Sequence, residues 1–182
     1  VQKEVVSVIE RLRKLRDELP ASDNALAALR GEFLEKNFEG EPAKVTFAHR
    51  VADTTDGELA KVKQAFAEQR YLAARAELEE SGSELDMARN GLVEVASRLA
   101  KLQELRAHAR DTVKAAEQRA NALSRKIREN SFTTSQATDE AFSAILPRVS
   151  EQRSDVGRDV TDWVAAAAQS DRLTADLKGL DT

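Results

Sequence analysis

The chain has no cysteine, three prolines, seven glycines and 4% aromatic residues. Each scarcity excludes something. Without Cys, no disulfide framework, thiolate nucleophile or Cys-based zinc site can be built. Only His49 and His108 offer imidazole, so a multi-histidine metal centre is excluded as well. Few Gly, Pro and aromatic residues argue against a β-rich or α/β enzyme. No run of 18 apolar residues occurs, so no transmembrane helix is read within the chain. What remains is a chain that is 33% charged, with a formal net charge of -4, and rich in Ala, Glu, Leu, Arg and Lys. That composition favours long helices. A length of 182 residues fits one domain. The opening Val1-Gln2-Lys3-Glu4-Val5 has neither an initiator Met nor a signal-peptide pattern. Helical periodicity from the first residue suggests a piece cut from a longer protein.

Apolar spacing predicts the helices. Val5, Ile9, Leu12, Leu15 and Leu19 give one stripe over 1–19, and Pro20 is expected to end that helix. Ser22 or Asp23 can cap a second helix over 22–38, with Leu26, Leu29, Phe33 and Phe38 on one face. Phe38-Glu39-Gly40-Glu41-Pro42 should break it. A short helix fits Val45 to Val51, and Thr54-Thr55-Asp56-Gly57 reads as a turn that caps the next helix.

One long helix is expected over 55–129, a stretch with no Pro. Its a positions are Tyr71, Leu78, Leu85, Leu92, Leu99, Arg106, Val113, Ala120 and Ile127. Its d positions are Ala74, Ser81, Ala88, Val95, Leu102, Ala109, Ala116 and Leu123. Ser81-Gly82-Ser83 and Asn90-Gly91 are candidate hairpin sites, but the heptad register runs through both. An interior Gly costs only about 1 kcal/mol, which a packed seam can absorb. The many alanines in the seam let partner helices approach closely and require neighbours to bury them. A polar turn at Ser131–Gln136, with Asn130 as a stop before it, then leads to a last helical region over 137–178. Pro147 and Gly157 divide that region, with a kink or local break at Pro147, and Gly179 ends it. Tyr71-Leu72-Ala73-Ala74 is echoed by Trp163-Val164-Ala165-Ala166 at an offset that also relates Leu85 to Leu177. The flanking residues do not keep that offset.

The expected fold class is all-α: a single elongated domain over 1–182, an antiparallel bundle or coiled coil around one long central helix.

No chemical constellation emerges. There is no phosphate-binding glycine loop, nucleophile elbow, H-E-x-x-H pair or EF-hand loop. A di-metal bundle site needs a Glu three residues before a His, and Leu105 and Thr46 stand in those places. No catalytic residue, cofactor or metal site is assigned, and the chain is read as a non-enzyme. His108 sits outside the seam and reads as a surface residue.

The candidate interaction residues are Arg98, Lys101, Arg106, Arg110, Lys114, Arg119 and Trp163. The first six belong to a basic stretch over 98–128 that follows an acidic stretch over 77–94. A basic face can meet anionic lipid headgroups or another polyanion. It can equally be a solvated face pairing with Asp155, Asp159, Asp162, Asp171 and Asp176 on a neighbouring helix. No aromatic residue interleaves with these cations, so nothing favours nucleic acid. Arg106 occupies an a position, where a polar residue can fix register, or where the Arg stem can snorkel outwards. Trp163, beside Ala165–Ala168, fits a core wedge opposite small residues, and otherwise an anchor for a partner.

The run Tyr71-Leu72-Ala73-Ala74-Arg75-Ala76-Glu77-Leu78-Glu79-Glu80, continued by Leu85, Ala88, Leu92 and Leu99, resembles bacterial spectrin-like helical arrays. Septation-ring regulators and the helical tails of envelope proteins with an N-terminal TPM domain are of this kind. The resemblance covers about two thirds of the chain and carries over no functional residue. It implies a multi-helix scaffold near the membrane, placed in the bacterial cytoplasm or, more in keeping with the resemblance, at the envelope. The function expected is therefore a non-catalytic scaffold or spacer that binds protein partners, or itself, through helix faces. Two alternatives stand beside it. One is a peripheral membrane-surface binder using the basic 98–128 face. The other is the coiled-coil arm of an SMC-like ATPase whose nucleotide site lies in other sequence.

Overall fold

A computed structural model describes residues 2–129, 136–158, 160 and 162–180. Five helices follow in order: α1 (Gln2–Glu32), α2 (Glu41–Ala67), α3 (Tyr71–Glu129), α4 (Gln136–Val156) and α5 (Trp163–Gly179). A short 3-10 turn, Glu35–Asn37, joins α1 to α2. The described residues contain no strand, so the fold is an all-α bundle. They cluster in two units, residues 1–100 and 101–182, with the boundary inside α3.

In the first unit, α1, α2 and the start of α3 run up, down and up. Arg16 of α1 meets Asp56 of α2, and further along α1 Asp23 meets His49, so these two helices are antiparallel. Lys44 pairs with Glu94 while Glu58 accepts from Ser81, so α2 and α3 are antiparallel too. The core is a 3–4 alternation on each helix. Val8, Leu12, Leu15, Leu19, Ser22, Leu26 and Leu29 are buried along α1. Val45, Ala48, Ala52, Thr55, Leu59 and Val62 are buried along α2.

That alternation corrects the expected boundaries. Pro20 does not end a helix at 19, and 22–38 is not a second helix: α1 runs on to Glu32 with Pro20 inside it. Pro20 faces solvent, and the seam passes from Leu19 to Ser22 to Leu26 without losing phase. The lost backbone bond costs about 3 kcal/mol. Several buried leucines on the far side, at about 1.5–3 kcal/mol each, outweigh it. Ile9 is likewise not in the seam; Val8 takes that place and Ile9 is exposed.

Thr54-Thr55-Asp56-Gly57 is no turn either. Thr54 and Thr55 donate their hydroxyls to the carbonyls of Arg50 and Val51, which keeps both side chains satisfied inside α2. The break proposed at 38–42 is present, and Pro42 there serves to start α2.

The helix expected over 55–129 is divided at Glu68–Arg70. Gln69 takes the left-handed conformation, φ 58°. Arg70 N–H donates to Ala65 O and Gln69 N–H to Phe66 O, the paired closure of a Schellman end with Gln where Gly is usual. Gln64 and Arg70 both donate to Glu68, which holds that carboxyl below the usual range and braces the turn.

From Tyr71 onward the helix is continuous through both glycine sites. Gly91 has a clear reason to be Gly: a Cβ there would stand 3.3 Å from Lys44 Cβ, so it marks a close approach of α2 and α3. Of the seam, Leu78, Leu85, Leu92, Val113 and Ala120 are buried, as are all the d residues from Ala74 to Leu123. Tyr71 is exposed, and Leu99, Arg106 and Ile127 are half-buried.

In the second unit, the later part of α3 packs with α4 and α5. Ala116, Ala120, Leu123, Phe142, Ile145, Val149, Leu173 and Leu177 form one core cluster. Arg148 pairs with Asp176 while Gln152 donates to Ala166 O and Ser170 Oγ, so α4 and α5 are antiparallel. α4 runs through Pro147 to Val156, contrary to a break there; Pro147 is exposed and the buried positions 142, 145, 149 and 152 keep step past it. The division at Gly157 and the end of α5 at Gly179 agree with the sequence reading. The expected turn at 131–136 and its stop at Asn130 fall, but for Gln136, outside the described residues.

Candidate functional site

The basic stretch is the first place to look for a site, and its members have separate settings. Arg98 lies in the first unit, half-buried, and its Nε donates to the carbonyl of Asn37 at 2.6 Å. It thereby closes the 3-10 turn between α1 and α2 and is held in the fold. Lys101 is exposed and pairs with Glu104 one turn along its own helix, 3.1 Å. Arg106 and Arg119 are half-buried, and the Nε of Arg119 is itself buried. Arg110 and Lys114 are exposed and have no ion pair among the described residues. Arg106, Arg110 and Lys114 follow one another at four-residue spacing along one side of α3, and Arg98, Lys101 and Arg119 lie off that row.

Their expected acidic partners are occupied differently. Asp171 takes His108 at 2.8 Å and Asp176 takes Arg148 at 2.8 Å. Asp162 spends its carboxylate on the backbone N–H groups of Val164 and Ala165, capping α5. Asp159 lies outside the described residues. Within the stretch Lys101 meets Glu104, and its own Glu117 is taken by Arg153 of α4.

The acidic stretch of α3 carries ion pairs that cross to α1 and α2. Asp86 meets Arg11 of α1 at 2.9 Å, and Glu94 meets Lys44 of α2 at 2.6 Å. Arg89 sits between them and grips Glu18 of α1 with two nitrogens, 2.6 and 3.0 Å. Arg89's hydrogen bonds, with its charge and that of Lys14, hold the Glu18 carboxyl below the usual carboxylate range despite partial desolvation. Lys44 is pushed up by its hydrogen bond to Glu94 and by the charge of Glu41. These residues select which face of α3 meets α1 and α2.

Trp163 is buried at the start of α5, in the core-wedge place that its alanine neighbours suggest. Among the described residues, no three acidic or histidine side chains gather in a way that could hold a metal ion. No helix among them is long and apolar enough to cross a membrane.

The open grooves lie between helices. One of about 490 Å³ separates α1 from α3 beside Arg11, Gly82, Asp86 and Met87. Another, of about 450 Å³, is apolar and is walled by Val5, Val6, Val62 and Phe66 at one end of the first unit. Comparison of the chain with protein-family models, curated proteins and solved structures finds no match.

The sequence reading missed the residues of this apolar end. Val6, Ile9, Phe66, Tyr71 and Leu72 are all exposed there. A signal was available. Val6 and Ile9 widen the α1 stripe beyond what one seam can bury, and Tyr71 opens the α3 register without a buried residue before it.

Proposed function

We propose that the chain is a non-catalytic helical scaffold or spacer of the spectrin-like kind, which binds protein partners through exposed helix faces. The observation that carries this reading is the course of α3. It supplies the third helix of the first unit and the first helix of the second, and its buried seam continues from Ala74 to Leu123. It runs for 59 residues. A helix of that length gains most of its stability from the neighbours packed along it.

The two units also repeat one plan. Tyr71 opens the third helix of the first and Trp163 the third helix of the second, and the related Leu85 and Leu177 are both fully buried. One polar residue is buried on each second helix, Thr55 in the middle of α2 and Gln152 in the last turns of α4. Such repetition suits an array that presents surfaces at set intervals. On the resemblance to septation-ring and envelope proteins, we read the scaffold as part of a bacterial envelope or division-type assembly.

The membrane-surface alternative has less support. The apolar residues of the basic stretch, Leu102, Val113 and Leu123, are buried in the second unit, which leaves little to insert into a lipid interface. The scaffold reading is tested by placing a photo-reactive amino acid at Met87, Val93, Leu146 or Val164, all exposed and apolar, in native cells. Discrete cross-linked protein partners are expected at one or more of these positions. Absence of cross-links at all four, or a measurable catalytic turnover of the purified chain, overturns it.

A further inference from the structure

Five of the exposed large hydrophobic residues of the first unit lie toward one end of it, while Met87 and Val93 lie further along α3. Val6 and Ile9 lie near the start of α1, Phe66 near the end of α2, and Tyr71 and Leu72 at the start of α3. The antiparallel course of α2 brings these three helix ends together. Val5, Val6, Val62 and Phe66 wall one groove, and the rings of Phe66 and Tyr71 meet edge to face at 5.2 Å. Leu72 beside them is 86% exposed. With about 150–250 Å² for a large side chain, the five leave on the order of 500 Å² of apolar surface in water. That is in the range, about 300–600 Å², of the largest patch on a soluble monomer, which is often functional.

We propose that this end of the first unit is a self-association surface, which binds the same end of a second copy of the chain in a two-fold contact. The proposal rests on the scaffold reading and names its partner. Two observations point to a second copy. The first is area. A stable interface covers about 800 Å² on each partner, somewhat over half of it apolar, and the patch supplies that apolar share. The second is charge. Lys63 lines the same groove, and Glu10 follows Ile9 on α1; both are exposed and neither is in an ion pair among the described residues. A two-fold axis lays α1 of each protomer against α2 of the other, so each Glu10–Lys63 contact occurs twice. The surface is thus complementary to itself in sign as well as in hydrophobicity.

The test is sedimentation velocity on the full chain from low to high micromolar concentration, with three variants. The wild type is expected to show a reversible dimer. Leu72→Glu should raise the dimer dissociation constant about tenfold or more, as loss of a central apolar contact does. Its helicity and melting temperature should stay unchanged, because Leu72 is exposed in the monomer. Lys63→Glu and Glu10→Lys should each weaken the dimer, and their combination should restore it. A wild type that remains monomeric throughout overturns the proposal. So does a dimer indifferent to Leu72→Glu, or a double variant no tighter than either single one. A monomeric wild type that still cross-links at Met87 or Val93 removes self-association and leaves the scaffold reading standing. A Leu72-dependent dimer with no cross-linked partner does the reverse.

Discussion

Arg89 of α3 holds Glu18 of α1 in a forked ion pair, with Nη2 at 2.6 Å and Nε at 3.0 Å from the two carboxylate oxygens. The planar guanidinium fits a carboxylate in a way that a lysine ammonium cannot. The pair is partly open to water, at 35% and 38% side-chain exposure, so screening limits it to about 1 kcal/mol or less. Arg89→Lys should cost a few tenths of a kcal/mol, and Arg89→Ala somewhat more, read as a shift in urea midpoint.

The same pair sets a pH dependence. The Glu18 carboxyl lies below its ordinary value of 4.5 in the folded chain. A depressed carboxylate contributes its stability fully above the unfolded value and loses it as pH falls through the folded one. The difference in urea midpoint between wild type and Glu18→Gln should thus be constant from neutral pH to about pH 5.5, and shrink below about pH 4.5. A difference that grows on acidification would contradict the geometry of the pair.

Pro20 lies within α1, exposed, with buried Leu19 and Ser22 on either side. It therefore costs the helix a backbone bond and serves no cap. Pro20→Ala should stabilise the chain by about 1–3 kcal/mol. Pro42 starts α2, where a missing N–H costs nothing, so Pro42→Ala should give no gain. Equal effects at the two sites in chemical denaturation would mean that α1 stops near residue 20 after all.

Gly82 and Gly91 separate in the same manner. A Cβ at Gly82 would meet only the Arg11 guanidinium, at 3.3 Å, the mobile end of a long side chain. Gly82→Ala should therefore gain up to about 1 kcal/mol of helix propensity. A Cβ at Gly91 would meet Lys44 Cβ at 3.3 Å and Cγ at 3.6 Å, close to the backbone of α2. Gly91→Ala should gain less, or lose, because helices must shift to admit it. Melting curves of the two variants order the effects.

Legibility in the sequence followed the seam. The positions from Ala74 to Leu123 could be read because a 3–4 alternation of apolar residues has one interpretation on a helix. The same alternation, carried from Leu19 through Ser22 to Leu26, would have shown that Pro20 does not divide α1. A small polar residue in a seam position concealed it, and Thr55 concealed the continuity of α2 in the same way. The turn at Gln69 offered no local signal, since Gln replaces the glycine that usually marks a left-handed helix end. Only the register betrays it: counted back from Tyr71, the a positions become Gln64 and Gly57. Pairing between charges was the least legible part. Heptad position tells which side chains face outward, but not that Asp171 would choose His108, or that Asp162 would cap a helix.

α3 is one helix from Tyr71 to Glu129, unbroken at Gly82 and Gly91. The absence of cysteine makes a clean measurement possible. Spin labels attached to cysteines introduced at Glu80 and Ser97, both exposed and on either side of Gly82 and Gly91, report the distance along the helix by pulsed electron resonance. The separation of these two sites predicts a single narrow distribution at about 26 Å, at 1.5 Å per residue. A broad distribution, or one centred well below that distance, would show α3 broken between the two sites and would contradict the account.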